Sequence, residues 1–158
     1  MKPAAEKIQA AIRQLGIDRE IIELDVHART SQQAAAALGV DVGQIAKSLV
    51  FLVNGRPLLV IASGANRVDE AKLGKLAGGR VSRADPDTVR QATGSVIGGV
   101  PPLGHPAPLP TYIDPDLMRY DMIYAAAGVP ECIFPITPKE LVQGTGGRVE
   151  DVKEDGVR

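Results

Sequence analysis

With 158 residues, 44% of them hydrophobic and 23% charged, the chain has the size and composition of one soluble globular domain. A net charge of −1 argues against a broad basic face for duplex DNA, and a single cysteine, Cys132, excludes an intramolecular disulfide. No apolar run approaches the roughly 18 residues of a membrane span. The N-terminal MKPAAEKIQAAIRQLG spreads its charges too evenly for a secretory leader, so a cytoplasmic protein is expected.

Ile8, Ala11, Ile12 and Leu15 recur at helical spacing between Pro3 and Gly16, which predicts an amphipathic helix over 4–15. EIIELDV (20–26) predicts a short strand. TSQQAAAALGV (30–40) predicts a second helix, with Ser31 as its cap and Gly39 as its stop. Two apolar runs, 45–53 and 57–62, flank Asn54-Gly55, a pair that accepts positive φ in a type I′ turn, so a hairpin is expected. Apolar residues fill both alternation classes of its first strand, which should therefore be covered on both faces. VDEAKLGKLAGG (68–79) reads as a third helix, with Val68, Ala71, Leu73 and Leu76 inward and Lys72 and Lys75 in solvent.

A short strand is expected from Arg80 to Arg83. Asp85-Pro86 then opens a helix as N-cap and first-turn proline, and Gly94 stops it. SVIGGVPPLGHPAPLP (95–110) carries too much glycine and proline for more than a short opening strand. TYI, YDMIYAAAG and ECIFPI supply further strands. Thr137-Pro138-Lys139-Glu140 is a capping box before a helix ending at Gly144, and GRVEDV (147–152) is the last strand. KEDGVR (153–158) reads as a flexible tail. No repeat or linker divides the chain, so residues 1–152 are expected to form one α+β domain.

Within this frame Lys47 stands out, because it opens the apolar run Leu49-Val50-Phe51-Leu52-Val53. An unpaired ammonium is costly to bury. Either its stem packs and its tip reaches water, or an anionic group is meant to meet it. The stretch from Gly94 to His105 is the second candidate. Adjacent Gly98 and Gly99 can bring bare amides close to a ligand, and Pro101 and Pro102 stiffen the loop, as an oxyanion or phosphate site requires. A tight crossover that merely needs glycine is the plainer reading, and no Walker or dinucleotide fingerprint is present. His27, between a strand and a helix, could line a pocket, and Arg67 in the polar turn after the hairpin could meet phosphate. His27, His105 and Cys132 are too scattered to suggest a metal site, and Cys132 in an apolar run reads as core.

Taken together, KSLVF, the hairpin, VDEAKLGKLAGG, ADPDTVRQATG and VIGGVPPLGH leading to LPTYID resemble the YbaK / prolyl-tRNA synthetase-associated editing domain family, over about Glu20 to Val152. The resemblance implies a small α+β protein built on a mixed, partly closed, barrel-like sheet. It also implies hydrolysis of the ester of wrongly charged aminoacyl-tRNA, acting on the acceptor end, free-standing or with a synthetase, and without a cofactor. Carried over by position, the family lysine falls on Lys47 with a hydroxyl beside it at Ser48. The glycine-and-proline loop falls on Gly98 and Pro102 with Gly99 inside. On this reading Lys47 faces a pocket for the terminal adenosine, its phosphate and the ester, and the amides of Gly98 and Gly99 stabilise the tetrahedral oxyanion. Lys47 then serves as a cation, or as a base if burial lowers its pKa.

The sequence departs from cysteine-directed members in YAAAGVPECIFPI, where alanines and apolar residues replace polar ones. A small apolar pocket for alanine or another small side chain fits this stretch. A non-catalytic module binding tRNA ends or nucleotides would use the same lysine and loop.

Overall fold

The structure, a computed structural model, describes residues 1–25 and 28–156. Eight strands form one mixed sheet: β1 (Ile22–Glu23), β2 (Ile45–Val53), β3 (Arg56–Ser63), β4 (Val81–Arg83), β5 (Thr111–Ile113), β6 (Ile123–Ala126), β7 (Cys132–Ile136) and β8 (Arg148–Val149). The strand order is β1-β7-β6-β2-β3-β5-β8, and β4 pairs with β2 off this path. Five helices flank the sheet: α1 (Pro3–Gln14), α2 (Ser31–Leu38), α3 (Glu70–Ala77), α4 (Pro86–Thr93) and α5 (Pro138–Thr145).

The β2–β3 hairpin is the spine of the fold. Asn54 and Gly55 both take positive φ, 51° and 80°, as the two-residue turn requires. Val53 and Arg56 then face each other, and the register runs back to Ala46 opposite Ser63. Both faces of this hairpin are covered. Ala46, Val50, Leu59 and Ile61 join α1 residues Ile8 and Ile12 and the fully buried Phe134 in the largest cluster. Phe51, Leu58 and Val60 join Leu73 of α3 and Val152 in the second. Ile45 packs with Ala34 and Ala35 of α2 in a third.

Several boundaries differ from the sequence expectation for identifiable reasons. The strand at 20–26 shrinks to two exposed residues, because only the edge of β7 is available to pair with it. Thr30, not Ser31, caps α2, because its hydroxyl accepts from Gln33 N–H and Gln33 reaches back in a full capping box. No strand forms in 95–110. α3 starts at Glu70 because the Asp69 side chain accepts the N–H groups of Ala71 and Lys72, and Ala71 is exposed rather than inward. α5 runs through Gly144, packed near Leu103 and Ile17, and ends at Gly146 in the left-handed region.

The last strand is short, but the chain beyond it does not fray at once. Val152 is fully buried, Lys153 bridges to Val68, and Glu154 N–H donates to Arg67 C=O at 2.8 Å. Lys72, expected in solvent, is instead the anchor: its ammonium meets Asp151 at 3.0 Å and Asp155 at 2.9 Å.

Candidate active site

One edge of β2 is paired with β3 along its length. The other is shared: β6 covers Ile45 and Ala46, and β4 covers Phe51 to Val53. Between them, Lys47 to Val50 have no neighbouring strand on that edge. Because Val53 and Arg56 close the turn as a mutually bonded pair, alternation along the ladder turns the backbone N–H and C=O of Ser48 toward this open interval. A cavity of about 490 Å³ opens here and reaches both sides of the strand. Its size is ordinary for a small-molecule site.

The charged lining is all of one sign. Lys47, Arg67, Arg29 and Arg83 border the cavity, and among the described residues no Asp or Glu does. Arg83 is paired with Glu70 at 3.3 Å on an exposed surface. Lys47 is half-buried and has no ion-pair partner among the described residues. Burial holds its pKa below the usual lysine value. The Arg67 charge pushes the same way, and Asp114 partly opposes both. Lys47 thus neither escapes fully to solvent nor finds a protein carboxylate, an arrangement suited to an anionic ligand.

Ser48 adds a second unfilled demand. It is 8% exposed and lines the cavity, yet its hydroxyl has no hydrogen-bond partner among the described residues. Such orphan groups are rare in native interiors and call for a water or ligand.

Opposite lies the glycine loop. Val96 to Gly99 form a turn in which Gly99 N–H donates to Val96 C=O at 2.9 Å. Gly98 occupies its third position with φ of 87°, and Ile97 is not at positive φ, as in a type II turn. Ile97, Gly98 and Val100 line the cavity. The amides of Gly98 and Val100 have no acceptor among the described residues.

Lys47, Ser48, Arg67 and Gly98 therefore meet around one space, although three separate stretches of chain supply them. Two expected members stand apart. The Gly99 amide is consumed by the turn, its C=O accepts from Gly128 N–H at 2.9 Å, and a Cβ there would fall 2.7 Å from Val129 Cα. Gly99 is glycine for packing. Pro102 is buried and lines a different cavity, with Leu103 and His105. His27 lies outside the described residues. Cys132 is fully buried, its thiol pushed up by desolvation, and it is core as expected.

Sequence reasoning assigns no role to Arg29, Arg83 or Val100. Arg83 ends the short strand expected at 80–83, but only the β4–β2 pairing brings it here. The far end of the cavity is apolar and small-walled: Ala34, Ile45, Tyr124, Ala126, Pro130 and Ile133. Of the three consecutive alanines, Ala126 faces the cavity, while Ala125 and Ala127 are buried in the main core.

Comparison with known proteins identifies the family. The family model "Aminoacyl-tRNA editing domain" matches residues 25–143. A crystal structure provisionally assigned as a trans-editing enzyme for prolyl tRNA synthetase superposes with a TM-score of 0.95 at 45% identity, covering 98% of this chain and 99% of that one. The uncharacterized protein YwhH of Bacillus subtilis is 30% identical over 145 residues, 91% of this chain and 92% of its own. The multifunctional Ser/Thr-tRNA deacylase ProXp-y of Escherichia coli is 30% identical over 130 residues, 78% of this chain and 77% of its own.

Proposed function

Because the chain belongs to the aminoacyl-tRNA editing domain family, we propose that it hydrolyses the ester joining a wrongly attached amino acid to tRNA, at the cavity beside β2. One observation carries the assignment of the site: among the described residues, a half-buried lysine without an ion-pair partner and a glycine loop with two unengaged amides border a single cavity whose charged lining is entirely cationic. The acceptor end of tRNA is an anionic strand that terminates in an ester, and each part has a counterpart here.

Lys47 and Arg67 hold phosphate or the ester carbonyl oxygen as cations. A water adds through its oxygen to the carbonyl carbon, and the carbonyl oxygen becomes an oxyanion. The Gly98 and Val100 amides receive it, each good donor contributing about 3–4 kcal/mol. Collapse breaks the bond to the ribose oxygen, which leaves with the proton that the water lost. The amino acid departs as its carboxylate, and the second proton of the water passes to solvent. An aminoacyl ester is activated enough that no protein nucleophile is required, and Cys132 is too deeply buried to serve as one.

The apolar end, narrowed by Ala126 and Pro130, suits a small side chain, with larger ones excluded by size. Discrimination by apolar contact alone is worth only about 1–3 kcal/mol per methylene, so selection among small side chains is modest. With a net charge of −1, contact with tRNA is confined to the acceptor end or assisted by a synthetase. Action in the cytoplasm, where charged tRNA is used, follows from this substrate. Among the described residues no helix is long and apolar enough to cross a membrane.

The test is a panel of alanyl-, seryl-, cysteinyl- and threonyl-tRNA incubated with purified protein, with free amino acid measured over time. Release is expected from at least one ester and should be nearly lost in Lys47→Ala. Background release from all four, with retained binding of tRNA ends, would replace the hydrolase with a binding module.

A further inference from the structure

Asp114, just after β5, is a fully buried carboxylate that does not line the cavity, although its charge is felt at Lys47. A charge removed from water is tolerated only where hydrogen bonds compensate it. Here they come from two short stretches of chain. One carboxylate oxygen accepts Ser63 N–H at 3.1 Å and the Asn66 side-chain amide at 2.8 Å. The other accepts Asp116 N–H at 2.9 Å. Asn66 also donates to Asp116 at 2.8 Å, and the same Asp116 oxygen accepts the Lys153 ammonium at 2.7 Å.

These bonds converge on the turn from Ser63 to Arg67, which leaves β3 directly beside the functional strand: Ala62 lies opposite Lys47 and Ser63 opposite Ala46. The Ser63 hydroxyl donates to Gly43 C=O at 2.8 Å, and Asn66 N–H donates to Ser63 C=O at 2.9 Å. From the far side, Glu154 N–H holds the Arg67 carbonyl, and Lys153 bridges Val68. The backbone of Arg67 is thus fixed from two directions, while its own side chain is exposed and borders the cavity.

We propose that Asp114 is a positioning residue of the site, whose buried carboxylate, acting through Asn66, fixes the 63–66 turn and so sets where Arg67 presents its guanidinium to the anionic ligand. The proposal rests on the reading of the cavity as an acceptor-end site. A long flexible cation on a loose loop would lose more freedom on binding than one on a braced backbone. An amide at position 114 would turn an N–H₂ group toward one of three donors, so the brace needs acceptor oxygens on both arms of the side chain.

The test uses the full chain and two readouts: affinity for adenosine 5′-monophosphate, a phosphate probe that needs no hydrolysis, and the separate KM and kcat of deacylation. Arg67→Ala, Asn66→Ala and the double variant form a cycle, with Asp114→Asn alongside. Asn66 is partly exposed, so the outcome does not depend on Asp114→Asn folding. Asn66→Ala is expected to weaken probe binding roughly as much as Arg67→Ala, by about tenfold, with KM raised and kcat kept. The double variant should bind no more weakly than Arg67→Ala alone. Additive losses, or wild-type binding in Asn66→Ala, would overturn the proposal. Should no ester be hydrolysed while the cycle stays non-additive, the hydrolase reading fails and the bracing role stands. Hydrolysis with additive losses would keep the hydrolase and remove the brace.

Discussion

The cavity beside β2 and the cavity under the proline-rich loop invite comparison, because both are lined largely by aliphatic residues and both borrow from the segment 97–109. The second, about 330 Å³, is bordered by Leu15, Pro102, Leu103 and His105 among others, and among the described residues no Lys, Arg, Asp or Glu lines it. Its polar groups are largely engaged locally. The His105 ring bonds Pro101 C=O at 2.7 Å, Thr111 donates to Leu109 C=O, and Thr145 donates to Leu141 C=O. Burial pushes the His105 imidazole below its usual pKa. Among the described residues, the lining of the first cavity includes a lysine without a counterion, a serine whose hydroxyl has no partner and a loop with two amides that lack acceptors. Free space alone does not mark a site. Unmet polar demand in a place where satisfying it would have been easy does.

The sharpest way to break this comparison is to remove its principal charge. Lys47→Ala should reduce deacylation about 10²-fold or more in single-turnover release of amino acid, the scale of losing a main electrostatic group. His105→Gln in the other cavity should leave the rate within about twofold. The two adjacent glycines should separate next. Gly98→Ala places a side chain at φ of 87°, a cost of about 1–2 kcal/mol, and should slow release about tenfold while the fold persists. Gly99→Ala drives a methyl into the Val129 backbone and should lower stability by about 1–3 kcal/mol in thermal melts.

Smaller effects sharpen the picture. If Lys47 acts as a cation, release should decline on the alkaline side as it loses its proton, at a pH below the ordinary lysine value of about 10.4. Arg67→Ala removes a repelling charge and should move that decline upward in a pH–rate profile. Ser48→Ala should leave stability unchanged or raise it by up to about 1 kcal/mol, since an unpartnered polar group is removed, yet slow deacylation several-fold.

What can be read from the sequence follows the range of the forces involved. Asn54-Gly55, the Asp85-Pro86 opening and the Thr137 capping box are local devices, and each appears where expected. Lys47 is visible because a charge interrupts an apolar run, and the likeness of KSLVF and VIGGVPPLGH to one family places the lysine and the loop together. The interval in β2 is not legible, since it depends on β4 and β6 arriving from residues 81–83 and 123–126 to cover only its ends. Gly98 and Gly99 look equivalent in sequence, and only the turn's hydrogen bond separates an amide that has no acceptor among the described residues from one already spent. Asp114 sits in LPTYID, where only its bond from Asp116 N–H is local; Ser63 and Asn66, the partners that tie it to the turn, lie about fifty positions upstream. The stretch from Lys153 reads as a loose end because its contacts are with Val68, Lys72 and Asp116, all remote in the chain.

The break in the β2 edge has a consequence for solubility as well. Bare main-chain groups on a strand usually invite another protein to add a strand, the route to aggregation. Here the bare interval is four residues, Lys47 to Val50, closed at both ends by resident strands and shorter than a typical strand of about five or six. An added strand could pair over those four residues at most, which limits the hydrogen bonds such an association would gain.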